Sequence, residues 1–550
     1  MWLPLEGQAA IATKIIGHYL AERGSSMASR ITRRRVLGGL GALGACSLLP
    51  GCGGSGSAAP APSPLSAPPP QPVPAGPLTS ASVTVSTTSS GAIGSNFVGL
   101  SYDKTEMLHP FFSASNSNLL GLFQRIGPGL LRVGGDGADK CTWTPDGRGQ
   151  TYPQIAQSDV DSWAAFVKAS GWQVLYGVNL GGSALPAGTA GHTTPALAAA
   201  EIAYVSGQLG SSLYGIEIGN EPDRYGNYRS YYACNWSLAQ YEALWSEYRS
   251  AILATTPGVF ITGPAGGQLA VWTIPFSETE TSGNLGLLTD HYYRLTSVYP
   301  PSMGCSGTIP GGGSTPTIAE LIAYPDQTLV SNLGLLAKAQ KTTGIAYRLG
   351  ETNSGSNAGT SPVAGITGIS NSYASALWII DHMFTCALGG ATGVNLTSGN
   401  GGYYSPIGDD ESVVTSVQPE FYGVLLFYLA GQGTLYSTQV SAGSLNVSAY
   451  AVQTSAGWSV VVVNKDPTEN LQLTVQLPQS ASSATLMVMT QATSGATGPS
   501  LEATSGVSIQ GAPVNLDGTF SPSASYQLTT GGSDVPCYVP ALSAVLIQTT

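Results

Sequence analysis

Two glutamates sit where their neighbours could set them to work. Glu221 lies in Gly219-Asn220-Glu221-Pro222-Asp223 and Glu351 in Leu349-Gly350-Glu351-Thr352-Asn353, and each directly follows a short apolar run. Two facing carboxyls can divide a substitution between them: one protonates the departing oxygen, the other attacks the carbon it leaves. Cleavage of a glycosidic bond with retained configuration needs such a pair, about 5–5.5 Å apart. The acid must then keep its proton near neutral pH, so partial burial and a negative partner are expected to raise its pKa. Glu217, in the run before Gly219, has the place of an interior ion-pair partner instead. The competing reading is that Glu221 and Glu351 are rim carboxylates held in ion pairs.

The elements that must position these residues alternate. Strands are expected at Phe97–Tyr102, Leu130–Gly134, Trp172–Asn179, Leu213–Gly219, Val259–Gly263, Leu287–Tyr292, Ile345–Gly350 and Thr392–Leu396. Helices are expected between them. Thr194 caps one that has Pro195 at its first position, and Ser237-Leu238-Ala239-Gln240 has the form of a capping box. Asn371–Leu388 and Pro419–Leu429 are apolar enough to pack on a sheet. Eight strands with helices between them predict an α/β (β/α)₈ TIM barrel over residues 96–432, with a doubly wound open sheet as the alternative. Pro264–Leu285 shows no convincing fifth helix. Glu221 and Glu351 fall at the C-terminal rims of strands four and seven, where barrel chemistry is carried out. Past Gly433, short alternating runs such as Asn446–Gln453, Trp458–Asn464 and Leu471–Leu477 predict an all-β sandwich over 433–550. Residues 81–95, ahead of the barrel, are expected to add a strand to it.

The N-terminus reads as addressing, not fold. From Met27, the expected true start, Arg33, Arg34 and Arg35 precede a short apolar run ending at Leu49-Pro50-Gly51-Cys52. That order is an export signal over residues 1–52, similar to a twin-arginine one, and its end resembles a lipobox with Cys52 as the lipidated residue. Residues 53–80 form a Pro-rich linker, with nine prolines in 58–77. The expected location is periplasmic or cell-surface, anchored through Cys52. Six of the 20 basic and two of the 31 acidic residues precede Cys52, so the remainder carries 14 against 29, net −15. Such a chain has no basic stripe for nucleic acid and repels long polyanions. Five cysteines remain after the signal: Cys141, Cys234, Cys305, Cys386 and Cys537. Their spacing matches no metal site, and one or two disulfides are expected with at least one thiol left over.

The two glutamate segments, with Gly99-Leu100-Ser101-Tyr102-Asp103, Leu131-Arg132-Val133-Gly134-Gly135 and His291-Tyr292-Tyr293, resemble glycoside hydrolase family 79, the β-glucuronidases and heparanase-like enzymes. The resemblance spans residues 82–550. It implies Glu221 as acid/base, Glu351 as nucleophile and Asn220 as partner of the sugar 2-hydroxyl. It implies Asp103 and Asp136 as sugar-hydroxyl contacts at the rims of strands one and two. Tyr292, at the end of strand six, is expected to orient Glu351 through its hydroxyl. Gly401-Gly402-Tyr403-Tyr404 matches the loop that grips the sugar carboxylate, with the choice between Tyr403 and Tyr404 open. Gly355–Gly359 departs from the Gly-rich pattern of the heparanase-type loop.

The leading reading is therefore an exo-acting retaining β-glucuronidase, expected to be monomeric, that acts on a glucuronide-bearing carbohydrate without metal or cofactor. The alternatives are an endo-acting heparanase-like enzyme, a retaining glycosidase of the same clan acting on xylosides, glucosides or arabinosides, and a non-catalytic carbohydrate-binding surface lipoprotein.

Overall fold

Eight parallel strands close on one another in sequence order: β1 (Gly99–Asp103), β2 (Leu130–Gly134), β3 (Gln173–Val178), β4 (Leu213–Ile218), β5 (Ile261–Gly266), β6 (Leu287–Thr296), β7 (Ala346–Ser356) and β8 (Val394–Ser398). The ring shuts where Leu396, Thr397 and Ser398 pair with Leu100, Ser101 and Tyr102. Each strand is followed by a helix: α1 (Ser117–Arg125), α2 (Gln157–Ser170), α3 (Pro195–Leu209), α4 (Leu238–Thr255), α5 (Thr273–Thr279), α6 (Gln327–Thr343), α7 (Tyr373–Gly389) and α8 (Pro419–Ala430). This computed structural model describes residues 68–550 except 227, 230, 268–269, 299–300, 305–306, 357–363 and 493–497. The export signal, Cys52, Cys305 and most of Gly355–Gly359 lie outside the described residues.

The fifth helix, which Pro264–Leu285 does not announce, is α5. It is two turns long and carries Pro275 in its first turn, where a missing N–H costs nothing, and that brevity hides its periodicity. The capping signals are realised. Thr194 accepts from the Leu197 N–H at 3.2 Å, and Ser237 and Gln240 cap each other. At the end of the barrel away from the site, Arg348 on β7 is buried with no acidic partner among the described residues. Four oxygens at 2.5–3.2 Å take its N–H groups, those of Asn395, Asn96, Phe97 and Val394, and burial pulls its pKa down to about 9. Gly393 makes room for it: a Cβ there would stand 1.9 Å from the guanidinium.

Beyond the barrel lies one hydrogen-bonded sheet of ten strands. Residues from both ends of its strand order, such as Leu486 and Val535, share one buried cluster, so the sheet curls over a core of its own. Leu78–Ile93, longer than the expected segment, runs through its middle, antiparallel to Gly433–Ser441 and parallel to Asn470–Gln476. The strand before the barrel is thus stitched to strands after it. The Pro-rich segment does not stay free up to residue 80. The Pro69 carbonyl accepts from the Gln527 N–H at 2.8 Å, and Gln71 makes two bonds to the Tyr538 backbone.

The barrel and the curled sheet meet across α7 and α8. Fourteen of the 17 residues of α7 are buried, which a helix apolar all round requires. Its one acid, Asp381, reaches the sheet: Lys465 pairs with it at 2.6 Å and the Tyr450 hydroxyl donates at 2.9 Å. Cys141, Cys386 and Cys537 are buried free thiols, while Cys234 is disulfide-bonded to a partner outside the described residues.

Candidate active site

Two backbone irregularities aim the glutamates. Along β6 and β7 the register runs Leu349 to Asp290 and then Glu351 to His291, so Gly350 is an extra residue. This bulge turns Glu351 into the barrel mouth. Past β4, Glu221 adopts the left-handed conformation (φ 49°), and its N–H is tied to the Ala265 carbonyl at 2.9 Å. Gly267 comes so close that a Cβ would stand 2.7 Å from the Glu221 carboxyl carbon, so only glycine leaves room for that side chain.

The two carboxyls meet around His291. Its Nδ1 lies 3.2 Å from Glu221 Oε1 and 3.9 Å from Glu351 Oε2, and one donor atom from each of the three residues falls within 4.8 Å of the others. Glu351 accepts from the Tyr293 hydroxyl at 2.7 Å and from Arg132 at 3.0 Å. Arg132 is buried in the barrel and also donates to Glu217 at 2.7 Å, Asn220 at 2.7 Å and Ser101 at 3.0 Å. Glu217 is therefore an interior ion-pair partner. Glu221 pairs with Arg229, which also pairs with Asp136, and lies 3.4 Å from Arg224. These three guanidiniums supply the positive charge that an ion bound between Glu221, His291 and Glu351 would bring.

Burial alone would raise both carboxyls, but their partners reverse its effect. The His291 hydrogen bond and the Arg224 and Arg229 charges hold Glu221 well below the usual range. His291 and Arg132, with the Tyr293 bond, hold Glu351 down against repulsion from Glu221. His291 is raised, because the Glu351 charge and the Glu221 bond outweigh its burial. The expectation of a raised acid pKa at Glu221 is thus not met in the ligand-free site. It took account of burial and the facing glutamate but not of two arginines from the loop after β4.

Of the other expected site residues, Asn220, Asp136, Asp103 and Tyr404 surround a cavity of about 450 Å³ with the two glutamates, or back directly onto it. Asn220 is fixed between Arg132 and Asp136, to which its Nδ2 donates at 3.3 Å. Asp103 lines the cavity, yet both its oxygens already accept from Thr105 and the Gly137 N–H. The Tyr404 ring lies 6.4 Å from that of Tyr293, while Tyr403 does not line the cavity. Tyr292 is a correction. Its hydroxyl donates to Asp326 at 2.6 Å and its ring stacks on His382 of α7, outside the barrel. Strand alternation explains why: His291 and Tyr293 point inward, Tyr292 outward, and β6 continues to Thr296 instead of stopping at 292. The hydroxyl on Glu351 belongs to Tyr293. Arg132, His291 and Tyr293 all lie in the quoted motifs, so period two could have picked them out. Arg224 and Arg229 follow no pattern in their loop.

No protein-family model matches the chain. A β-glucuronidase of Aspergillus niger is 25% identical over 323 residues, 53% of this chain and 55% of that protein, so the chain spans about half the length of the curated relative it matches. A 4-O-α-L-rhamnosyl-β-D-glucuronidase from Fusarium oxysporum 12S superposes with a TM-score of 0.63 at 17% identity, covering 85% of this chain and all of that one. A family 51 arabinofuranosidase from Xanthomonas axonopodis pv. citri gives 0.58 at 14% identity, over 86% and 100%. The structural neighbours are glycoside hydrolases, and the fold is the barrel those enzymes share.

Proposed function

We propose that the chain is an exo-acting retaining β-glucuronidase of the family 79 type, with Glu221 as acid/base and Glu351 as nucleophile. The observation that carries this is the approach of one carboxylate oxygen of Glu221 to within 4.8 Å of one of Glu351 at the rims of β4 and β7, which suits the separation of about 5–5.5 Å in a double displacement better than the about 6.5–9.5 Å of an inverting pair. Glu351 is gripped by Arg132 and Tyr293 and kept charged, as an attacking oxygen must be. Glu221 stands on a loop beside the cavity, and its charge is held by Arg229, which has a second carboxylate in Asp136. Sugar binding that draws Arg229 off Glu221 and leaves it on Asp136 lets Glu221 take up the proton it passes to the leaving oxygen. After attack, the same carboxylate draws a proton from water and frees the sugar from Glu351. A glucuronate fits a cavity that carries Arg224, Arg229 and the Tyr404 hydroxyl, donors strong toward a charged acceptor. The name of the Aspergillus relative points the same way. The chain's net negative charge favours a short glycoside over a long sulfated chain. The reading includes export, with anchoring at Cys52 holding the enzyme at the cell surface.

A panel of chromogenic β-glucuronide, β-galacturonide, β-xyloside and β-glucoside tests it. The expected result is highest kcat/KM on the glucuronide, and preference for a neutral sugar would sink the assignment while leaving the two-glutamate mechanism standing.

A further inference from the structure

A second pair of carboxylates lies beside the cavity and has no part in the proposed reaction. In the loop after β8, Asn400 and Gly401 are both left-handed (φ 53° and 60°), and each of their successive amides meets a carboxylate. The Asn400 N–H donates to Glu106 Oε1 at 2.9 Å and the Gly401 N–H to Asp409 Oδ1 at 3.4 Å. Two carboxylates thus sit side by side on neighbouring amides. Glu106 is fully buried and Asp409 is 7% exposed. Each keeps one oxygen, Glu106 Oε2 and Asp409 Oδ2, buried without a hydrogen-bond partner, and so does the Tyr102 hydroxyl of β1, itself 1% exposed.

Among the described residues no lysine, arginine or histidine pairs with either carboxylate, and nearby His109 lies against Glu411 instead. Asp103, Asp410 and Glu411 make the surroundings more negative. Buried carboxylates in this state need a proton or a cation. No hydrogen bond joins Glu106 to Asp409, so one shared proton does not bridge them. A hard divalent cation between them would satisfy both carboxylates, in the oxygen-only, flexible coordination that Ca²⁺ accepts.

We propose that Glu106, Asp409 and the Tyr102 hydroxyl form a Ca²⁺ site that fastens the loop after β8 to β1. That loop also carries Tyr404 at the cavity, so the cation would hold one wall of the sugar site in place.

The test is made on the whole chain stripped with EDTA, by thermal unfolding and by Tb³⁺ luminescence sensitised through tyrosine. Ca²⁺ at a hundred times its Kd should multiply the folded-to-unfolded ratio about a hundredfold and raise Tm by about 2–3 °C. Tb³⁺ should luminesce and be displaced by Ca²⁺. Asp409→Asn and Glu106→Gln should each abolish both signals, and in EDTA both should be at least as stable as wild type, since an uncompensated buried charge is gone. Glu351→Gln should keep both signals, which separates this site from the catalytic cluster. A wild type whose Tm does not respond to Ca²⁺ would mean that protons alone fill the role and would overturn the proposal. So would a Ca²⁺ response that survives Asp409→Asn and Glu106→Gln. Neither readout uses hydrolysis, so the glucuronidase reading stands or falls separately.

Discussion

Replacing Tyr293 by Phe removes one hydroxyl and nothing else, and the structure says what should follow. That hydroxyl donates to Glu351 Oε1 at 2.7 Å. A hydrogen bond to a charged acceptor contributes about 1.5–3 kcal/mol, and a pKa unit corresponds to about 1.4 kcal/mol. Without it, Glu351 retains Arg132 and His291, so its pKa should rise by about 1–2 units from its lowered position and stay below neutrality. Attack needs the ionised carboxylate. The acidic limb of kcat/KM, where activity falls as Glu351 protonates, should therefore move to higher pH by about the same 1–2 units. At neutral pH the carboxylate is still charged but less firmly aimed, so kcat/KM should drop by about 10- to 100-fold. Tyr292→Phe is the control. It loses a bond to Asp326 outside the barrel, so it should lower stability by about 1–3 kcal/mol, with the acidic limb where wild type has it. Initial rates on a chromogenic glucuronide between pH 3 and 8 measure both. An unmoved acidic limb in Tyr293→Phe, or a larger activity loss in Tyr292→Phe, would refute the argument from strand alternation.

Glu351→Gly should abolish hydrolysis, with azide restoring turnover to a product of inverted configuration; a retained azide product would exchange the roles of the two glutamates. Glu221→Ala should still form the glycosyl-enzyme from substrates with good leaving groups and stall there, visible as a burst by mass spectrometry. Tyr404→Phe should lower kcat/KM on a glucuronide by about 10- to 100-fold with little change on the matching xyloside, while Tyr403→Phe should change neither; equal losses on both sugars would remove Tyr404 from carboxylate binding. Lys465→Met should leave Asp381 charged and unpaired between barrel and sheet, at a cost of about 3–5 kcal/mol in denaturant unfolding. Changing Arg33, Arg34 and Arg35 to Lys should leave precursor in the cytoplasm, and Cys52→Ala should release protein from the membrane fraction, as fractionation and blotting would register.

What could be read in the sequence is what repeats. All eight barrel strands lie where short apolar runs end in glycine or a polar rim, because a strand buried on both faces must be apolar throughout. The two glutamates were visible because the residue after such a run falls at the rim by construction. The strand ahead of the barrel was visible from its alternation alone. Features carried by one or two residues were not. Helix α5 is two turns long with a proline inside, too short for a period to show. The bulge at Gly350 leaves no mark beyond a glycine, yet it decides which way Glu351 points. Tyr292 and Tyr293 differ only in parity, and placing the end of β6 four residues early hid which of them faces inward.

The charge state of the site was the least accessible part, and the reason is geometric. Burial and the facing glutamate can be anticipated from two rim positions, and both act to raise the pKa of an acid. What outweighs them comes from elsewhere along the chain: Arg132 from β2, His291 from β6, and Arg224 and Arg229 from the irregular loop after β4. No spacing rule links those segments, because only closure of the barrel brings them together. The result is a ligand-free site in which both glutamates are ionised and compensated, while the proposed mechanism needs one of them protonated. The proton has to arrive with the substrate. Arg229, shared between Glu221 and Asp136, is the group whose shift would allow that, so Arg229→Gln should raise the Glu221 pKa. Activity that depends on protonated Glu221 is lost as pH rises through that pKa, so the alkaline limb of kcat/KM should move to higher pH. An alkaline limb unmoved in Arg229→Gln would mean that something other than release from Arg229 prepares the acid.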